Sequence, residues 1–550
     1  MHRPRRSLQE VSPAIAVSVD LYTEGKLAEA LSNDWTPAAE VGAGQHFNFL
    51  REYLGPVRDG LHAQTIVQEF SYVSQSYLED YAHYYAHCFV PYERDCRRVH
   101  FFSHPFDEAQ LLAALPADDE HDIWKSYLGY IVIKPIPAPL GATLLRSYTD
   151  GPQHERHYAV QRPYAVNLLG KKLTIPTLIW QQQDNNVSAC ATTALWVAFH
   201  KTAYFFQHPM PSPYRITESA GNLFQRDGRT FPNHGGLDQH QIMTAVQSVG
   251  LVAELRNSYR DPAPLPPEAK ARQLRQAKGF LYAYLKMGLP ALLFIKLQEM
   301  GGHLITATGY REPEENFVYQ EDIEDVPTAT GTVKRRHLTL YSDGIERAYA
   351  HDDGVGPYSR LGFEASTGLL VTSWPTGPNE WRRAALAAIA FPPTEYVRIS
   401  YEQIHGQASR LNELLNFLRP IYEPDPAVQV PVIWDIYLQT SNEHKQKTWL
   451  SQLGTASQRE RIATRLLPKY VWVARALYQS QPLMEFVFDA SDLHTGFYCL
   501  LTTTYAPLRA SLTVDVVAPT SQIRQVLEQL GKLKYLPLLE DDLGLPPTAP

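Results

Sequence analysis

The sequence predicts an α+β protein of several domains, on three observations. Its 550 residues are several times the commonest domain size. Its apolar pattern switches repeatedly between helical three-and-four spacing and short β-branched runs. Its composition, 44% hydrophobic and 20% charged, is that of a chain that buries sizeable cores. Fifty Lys and Arg against 58 Asp and Glu leave a net charge of -8, with no cation excess to neutralise phosphates, so nucleic acid is not expected as a partner. The most apolar long stretch, 280–297, is broken by Lys286, Gly288, Pro290 and Lys296, and no membrane span is expected. The N-terminus is basic, but its apolar run at 14–19 is too short for a secretory signal. Cys88, Cys96, Cys190 and Cys499 are too few and too scattered for a disulfide framework, which fits a reducing cytoplasm.

Four stretches follow in order. In the N-terminal mixed α/β region, 1–165, Phe70, Val73, Tyr77, Tyr81, Tyr84 and Cys88 fall on one helical face and predict a helix. Residues 127–137 read as a strand that two prolines send to the surface. Residues 138–162 are rich in turn formers and charge and mark a boundary near 165. A central domain, 166–375, shows a strand in LTIPTLIW, a helix opening at Cys190, a helix capped by Asp238 after Gly235 and Gly236, and strands at 291–297 and 304–310. The Pro/Gly-dense SWPTGPNEW (373–381) reads as a connection. A C-terminal mixed domain, 376–540, carries Ile404, Ala408, Leu411, Leu415 and Leu418 at helical spacing, strands near 484–489 and 498–505, and a last helix after Ser521. Residues 541–550 read as a flexible tail.

The chemistry concentrates in three segments of the central domain. In WQQQDNNVSACATTALWVAF, Ser188 as N-cap puts Cys190 in the first turn of a helix, where the dipole favours thiolate, the nucleophilic form. A thiol that merely packs as a small hydrophobe is the alternative. In MGLPALLFIKLQEMGGHLITATGY, His303 stands at the mouth of a strand behind Gly301 and Gly302, placed to hold or take a thiol proton. In YSDGIERAYAHDDGVG, a strand ends in His351, Asp352 and Asp353. A carboxylate there can accept the second ring N–H of His303, although Asp-Asp-Gly is also a turn signal.

Together these segments resemble the papain-like cysteine peptidase superfamily over residues 175–365, most nearly its bacterial double-glycine leader peptidase branch. The resemblance implies a cysteine helix packed on an antiparallel sheet, flanked by the two mixed α/β regions. It also implies a thiol hydrolase, most simply a peptidase acting on a protein or peptide without a cofactor or metal. Carried onto this chain, it makes Cys190 the nucleophile, His303 the base and later acid, and Asp352 the orienting residue, with Asp353 its rival. Gln183, or alternatively Gln182, would lend a side-chain amide to the oxyanion hole beside the Cys190 N–H. The chain departs from the family pattern in having Ala191 after the cysteine and seven rather than six positions from Gln183 to Cys190.

Rival readings remain. The same triad serves transglutaminases and deamidases, and a papain-like domain can also act as a non-catalytic scaffold. The charged insertion at 311–340, with EPEEN, EDIED and KRRH, reads as a solvated hairpin, or else as a lid. His83, His87, Cys88, Cys96, His100 and His104 lie within one short stretch, read as core packing rather than as a zinc site because no finger spacing fits.

Overall fold

The computed structural model describes residues 17–545 apart from 57–58, 150–154, 185, 188, 222–235, 258–264, 329–330, 424, 426–429, 494–497, 507, 515–517 and 530. It is a mixed α and β protein whose three large sheets are almost wholly antiparallel.

The first sheet joins β1 (Val17–Leu21), β2 (Thr65–Tyr72), β3 (Cys96–Phe102), β4 (Tyr127–Ile133) and β5 (Leu140–Leu145) in chain order. Ile66, Phe101 and Ile131 face the helices Glu24–Leu31 and Gln45–Leu54, while Val67, Phe102 and Val132 face a second core. This alternation follows from the two-residue period of a strand. Two expectations are corrected here. All seven residues of β4 are buried, because it lies between β3 and β5; the prolines end the strand and do not carry it to the surface. The helix expected over 70–88 is confined to Gln75–His83, because β2 runs on to Tyr72 paired with β3, leaving Phe70 and Val73 exposed.

The second sheet follows β6 (Arg156–His157), the hairpin of β7 (Arg162–Leu168) and β8 (Lys171–Thr177), and β9 (Glu254–Asn257). The boundary expected near 165 thus falls inside a paired strand. Next come β10 (Ala291–Leu297), β11 (Gly301–Arg311), the hairpin of β12 (Ile323–Thr328) and β13 (Gly331–Arg336), β14 (Thr339–Leu340), β15 (Arg347–Asp352), β16 (Gly356–Glu364), β17 (Leu369–Gly377) and β18 (Glu380–Phe391). Strands β10, β11, β15, β16, β17 and β18 pair in that order, and β10 also pairs with β18 from Leu292 opposite Ala390 to Leu297 opposite Ala384. The ring therefore closes on itself, which removes its free edges. The segment 373–381, read as a connection, is the β17/β18 hairpin, so the barrel extends past 375 to Phe391. Its Pro and Gly residues make an irregular hairpin, not a linker.

In the third sheet, β14 pairs parallel with β19 (Ile433–Thr440), followed by antiparallel β20 (Tyr470–Tyr478), β21 (Gln481–Asp489) and β22 (Cys499–Thr504). The helix Tyr401–Phe417 buries Ile404, Ala408, Leu411 and Leu415, as their spacing requires. Part of the expected tail is structured. The helix Leu536–Leu543 buries Asp542, whose carboxylate accepts from Gln458 Nε2 and Arg461 Nη2 at 2.7 Å each and from the Thr504 N–H at 2.6 Å. Residues 546–550 lie outside the described residues. Among the described residues no helix is long and apolar enough to cross a membrane.

Breaking a buried, multiply bonded carboxylate costs about 3 kcal/mol. Asp542→Ala should therefore lower the urea-unfolding free energy by about 3 kcal/mol, whereas a neutral result would mean that the C-terminal helix only decorates the sheet.

Candidate active site

The helix Cys190–Phe206 opens with Ala191, Thr192, Thr193, Ala194, Leu195, Trp196, Val197, Ala198 and Phe199, all buried. An apolar segment with no polar face is stable as a helix only when surrounded by protein. Its cap residue is Ala189, which makes no side-chain cap bond, so the Ser188 expectation gives way to a cap one residue later; Ser188 itself lies outside the described residues. The approach loop is shaped by Asp184, whose Oδ1 accepts the N–H groups of Asn186 at 2.9 Å and Val187 at 2.7 Å, a side-chain-mimicked turn. Cys190 is the first helical residue and is half-buried.

The barrel brings the other groups to it. Thr306 Oγ1 donates to Ala194 O at 2.8 Å, fastening β11 to the helix one turn past the cysteine. Thr306 stands opposite His351 in the antiparallel pair of β11 and β15, so the strand beginning near His303 runs beside the end of the strand finishing at Asp352. There, His303 Nε2 donates to Asp352 Oδ1 at 2.9 Å, and the imidazole is also hydrogen-bonded to Cys190. With Nε2 taken, Nδ1 is the ring nitrogen left for the sulfur. Asp353 Oδ1 lies farther from the same Nε2, at 3.5 Å, so Asp352 is the carboxylate that orients the ring.

Asp352 is 1% exposed and both of its oxygens are engaged. Gly354 N–H donates to Oδ1 at 3.0 Å, and Trp374 Nε1 to Oδ2 at 2.8 Å. The Trp374 ring meets His303 edge-on at 5.7 Å, and a Cβ at Gly354 would collide with the indole, so glycine is required for the close approach. Trp180, fully buried, donates its indole N–H to the Asp352 carbonyl at 2.9 Å and is bridged through its backbone to Thr143 in β5. Neither tryptophan stood out in the sequence. Trp374 lay in the presumed connection, and an isolated indole carries no spacing signal.

Burial works against a charged His303, but the Asp352 charge and hydrogen bond overcome it, with the Cys190 bond and Asp353 adding to the effect; the imidazolium persists well above its ordinary range. Burial likewise pushes Asp352 up, and His303, Trp374 and the Gly354 N–H more than reverse this, holding it below the usual carboxylate value. Asp353 is pushed up to about 7 by burial and by the neighbouring Asp352 charge, against the pull of His303, and its Oδ2 is buried without a partner. The arrangement can take a thiol proton onto His303 and hold it there.

The two candidate glutamines part company. Gln182 is tied to β5, its N–H donating to Leu140 O at 3.0 Å and its Oε1 accepting the Leu140 N–H at 3.2 Å. Gln183 is half-buried on the loop that leads to Cys190. The 311–340 insertion contains the β12/β13 hairpin, and Arg272 and Arg275 on the helix Pro267–Leu285 pair with Glu324 and Asp322 at 2.9 and 3.0 Å. Gly236 precedes the Asp238-capped helix Gln239–Ser248 at a positive φ; Gly235 lies outside the described residues.

Among the described residues, His303, Asp352 and Asp353 form the one group whose ligand atoms lie close enough to share a metal ion. Asp352 in that group is engaged by His303 Nε2 and the Gly354 N–H at Oδ1 and by Trp374 Nε1 at Oδ2. The His/Cys cluster at 83–104 does not converge. His83 stacks on Tyr214 at 4.0 Å, and His100 bonds Tyr127 Oη at 3.0 Å and Glu69 at 3.3 Å. Burial pushes the Cys96 thiol up to about 12, unfavourable for a ligand. Comparison of the sequence with protein-family models and with curated proteins returns no match.

A carboxyl whose folded value stands near 7 against about 3.9 unfolded makes the folded state bind the extra proton, so its contribution to stability is lost as pH rises between those values. Asp353→Asn should therefore raise the melting temperature progressively from pH 4 to 7 and by a constant amount above pH 7. A difference independent of pH would show that Asp353 is not held protonated by its burial.

Proposed function

We propose that the protein is a thiol hydrolase with a papain-like central domain, most simply a cysteine peptidase. The observation that carries this reading is the contact of a helix-opening cysteine with a buried imidazole whose far nitrogen is held by a carboxylate. The resemblance in chain order, Cys, His, Asp, adds to it, as does the half-exposed position of Cys190 beside otherwise buried partners.

In the proposed reaction, Cys190 Sγ attacks an amide carbonyl after its proton passes to His303. The first-turn N–H of Cys190, in a helix whose N-cap Ala189 makes no side-chain cap bond, and the Gln183 side-chain amide would stabilise the oxyanion. His303 returns the proton to the departing amine, leaving a thioester, and then takes a proton from the water that hydrolyses it. Asp352 keeps the ring in the productive tautomer and stabilises its charge, while Trp374 shields the pair from water that would weaken it. The substrate would be a protein or peptide and no cofactor is called for. Four free thiols, two of them buried, fit a reducing compartment such as the cytoplasm. The transglutaminase, deamidase and scaffold readings share the fold but no additional feature of the site favours them.

The test is the rate of Cys190 alkylation by iodoacetamide against pH, located by mass spectrometry. In the wild type, fast labelling should persist down to pH 6, because a thiolate held by an imidazolium reacts below the free-thiol range. His303→Ala should move the profile toward a free thiol at about 8.5, and slow labelling indifferent to His303 would overturn the reading. On a cleavable peptide library, Cys190→Ala should abolish turnover while leaving the thermal transition in place, and residual turnover would remove Cys190 from the chemistry.

A further inference from the structure

The turn 353–356 that follows Asp352 is gripped by the N-terminal helix Gln45–Leu54. His46 Nε2 donates to the Asp353 carbonyl at 2.8 Å. A carbonyl can only accept, so Nε2 carries a proton, and burial lowers the pKa of this ring below the ordinary histidine value, against the pull of the Asp353 carbonyl and Asp352. One turn along the same helix face, Phe49 lies where a Cβ at Gly356 would be. Residues three apart on a helix share a face, so His46 and Phe49 hold the two ends of one short turn. The Asp352 carbonyl is held in turn by Trp180 Nε1 at 2.9 Å and by the Val355 N–H at 3.1 Å.

We infer that His46 is a positioning residue for the Cys190 and His303 pair, fixing the Asp353 carbonyl and with it the turn that aims the Asp352 carboxylate. The inference rests on the catalytic reading above and goes beyond it, because it makes the N-terminal domain a working part of the site. The physical argument is one of leverage. The Asp352 carboxylate receives the Gly354 N–H from inside the turn, so any rotation of the 353/354 peptide moves a donor to that carboxylate and the direction of its bond to His303. A buried carbonyl that loses its donor relaxes toward another one, and a displacement of about 1 Å in a catalytic group costs on the order of 100-fold in rate.

The experiment is the same alkylation profile, measured on the full chain for the wild type, His46→Ala, His46→Asn and His46→Gln. Glutamine carries an amide nitrogen out to the place of Nε2, whereas asparagine is polar but falls short of the carbonyl. His46→Ala and His46→Asn should each lower the labelling rate at pH 6 on the order of 10-fold and leave the rate at pH 9.5, where the free thiolate prevails, unchanged. His46→Gln should stay within about 2-fold of the wild type at both pH values. Should His46→Ala fail to fold, His46→Asn decides the matter. Profiles of His46→Ala and His46→Asn that overlay the wild type would overturn the inference while leaving the catalytic reading intact, and an equal loss in His46→Gln would reduce His46 to packing. A wild-type profile indifferent to His303→Ala would remove both.

Discussion

A carboxylate with almost no access to water must have every acceptor position supplied by protein, and Asp352 is the constraint around which the centre of this molecule is arranged. Its partners come from three separate stretches of chain: His303 on β11, the Gly354 N–H in its own turn, and Trp374 on β17. Those strands are held beside one another by the ladder that runs from β11 through β15 and β16 to β17, and β10 closes the ring by pairing with both β11 and β18. The saturated carboxylate keeps His303 charged, and the ring keeps the donors within reach.

Much of the candidate site was legible in the sequence, because its residues announce themselves through local punctuation. Cys190 follows a polar loop and opens an apolar helix, His303 follows two glycines at a strand mouth, and Asp352 ends a strand before a glycine turn. Trp180, Trp374 and His46 had no such signal. Each acts through one side-chain N–H on a group far away in sequence, and a lone aromatic in a strand or an amphipathic helix looks like packing. The preference for Asp352 over Asp353 rests in the sequence only on its coming first off the strand, and the distances from one nitrogen, 2.9 against 3.5 Å, agree with it.

The errors in the fold share one origin. Period and punctuation describe a segment, and burial depends on its neighbours. Prolines after β4 looked like an exit to solvent, yet that strand is enclosed by its sheet partners. The helical spacing at 70–88 ran across the end of β2, where pairing with β3 overrides it. The boundary near 165 falls within β7, and the turn signals near 375 mark the β17/β18 hairpin. Segments also cross those lines: β6 adds to the barrel at β11, and β14, from the insertion between His303 and Asp352, adds to the C-terminal sheet at β19.

That last pairing sets an order of assembly in time. Thr339 and Leu340 lie parallel to Ile433 and Trp434, so the insertion cannot take its place until nearly a hundred further residues have been made. Trp374, the last partner of Asp352 in chain order, leaves the ribosome roughly 180 residues after Cys190, and Phe391, which completes the ring, later still. At about 5–20 residues per second of synthesis, Cys190 spends on the order of 10 to 40 s without an ordered base beside it. On the reading proposed above, the Cys190 and His303 pair is therefore one that only a nearly complete chain acquires.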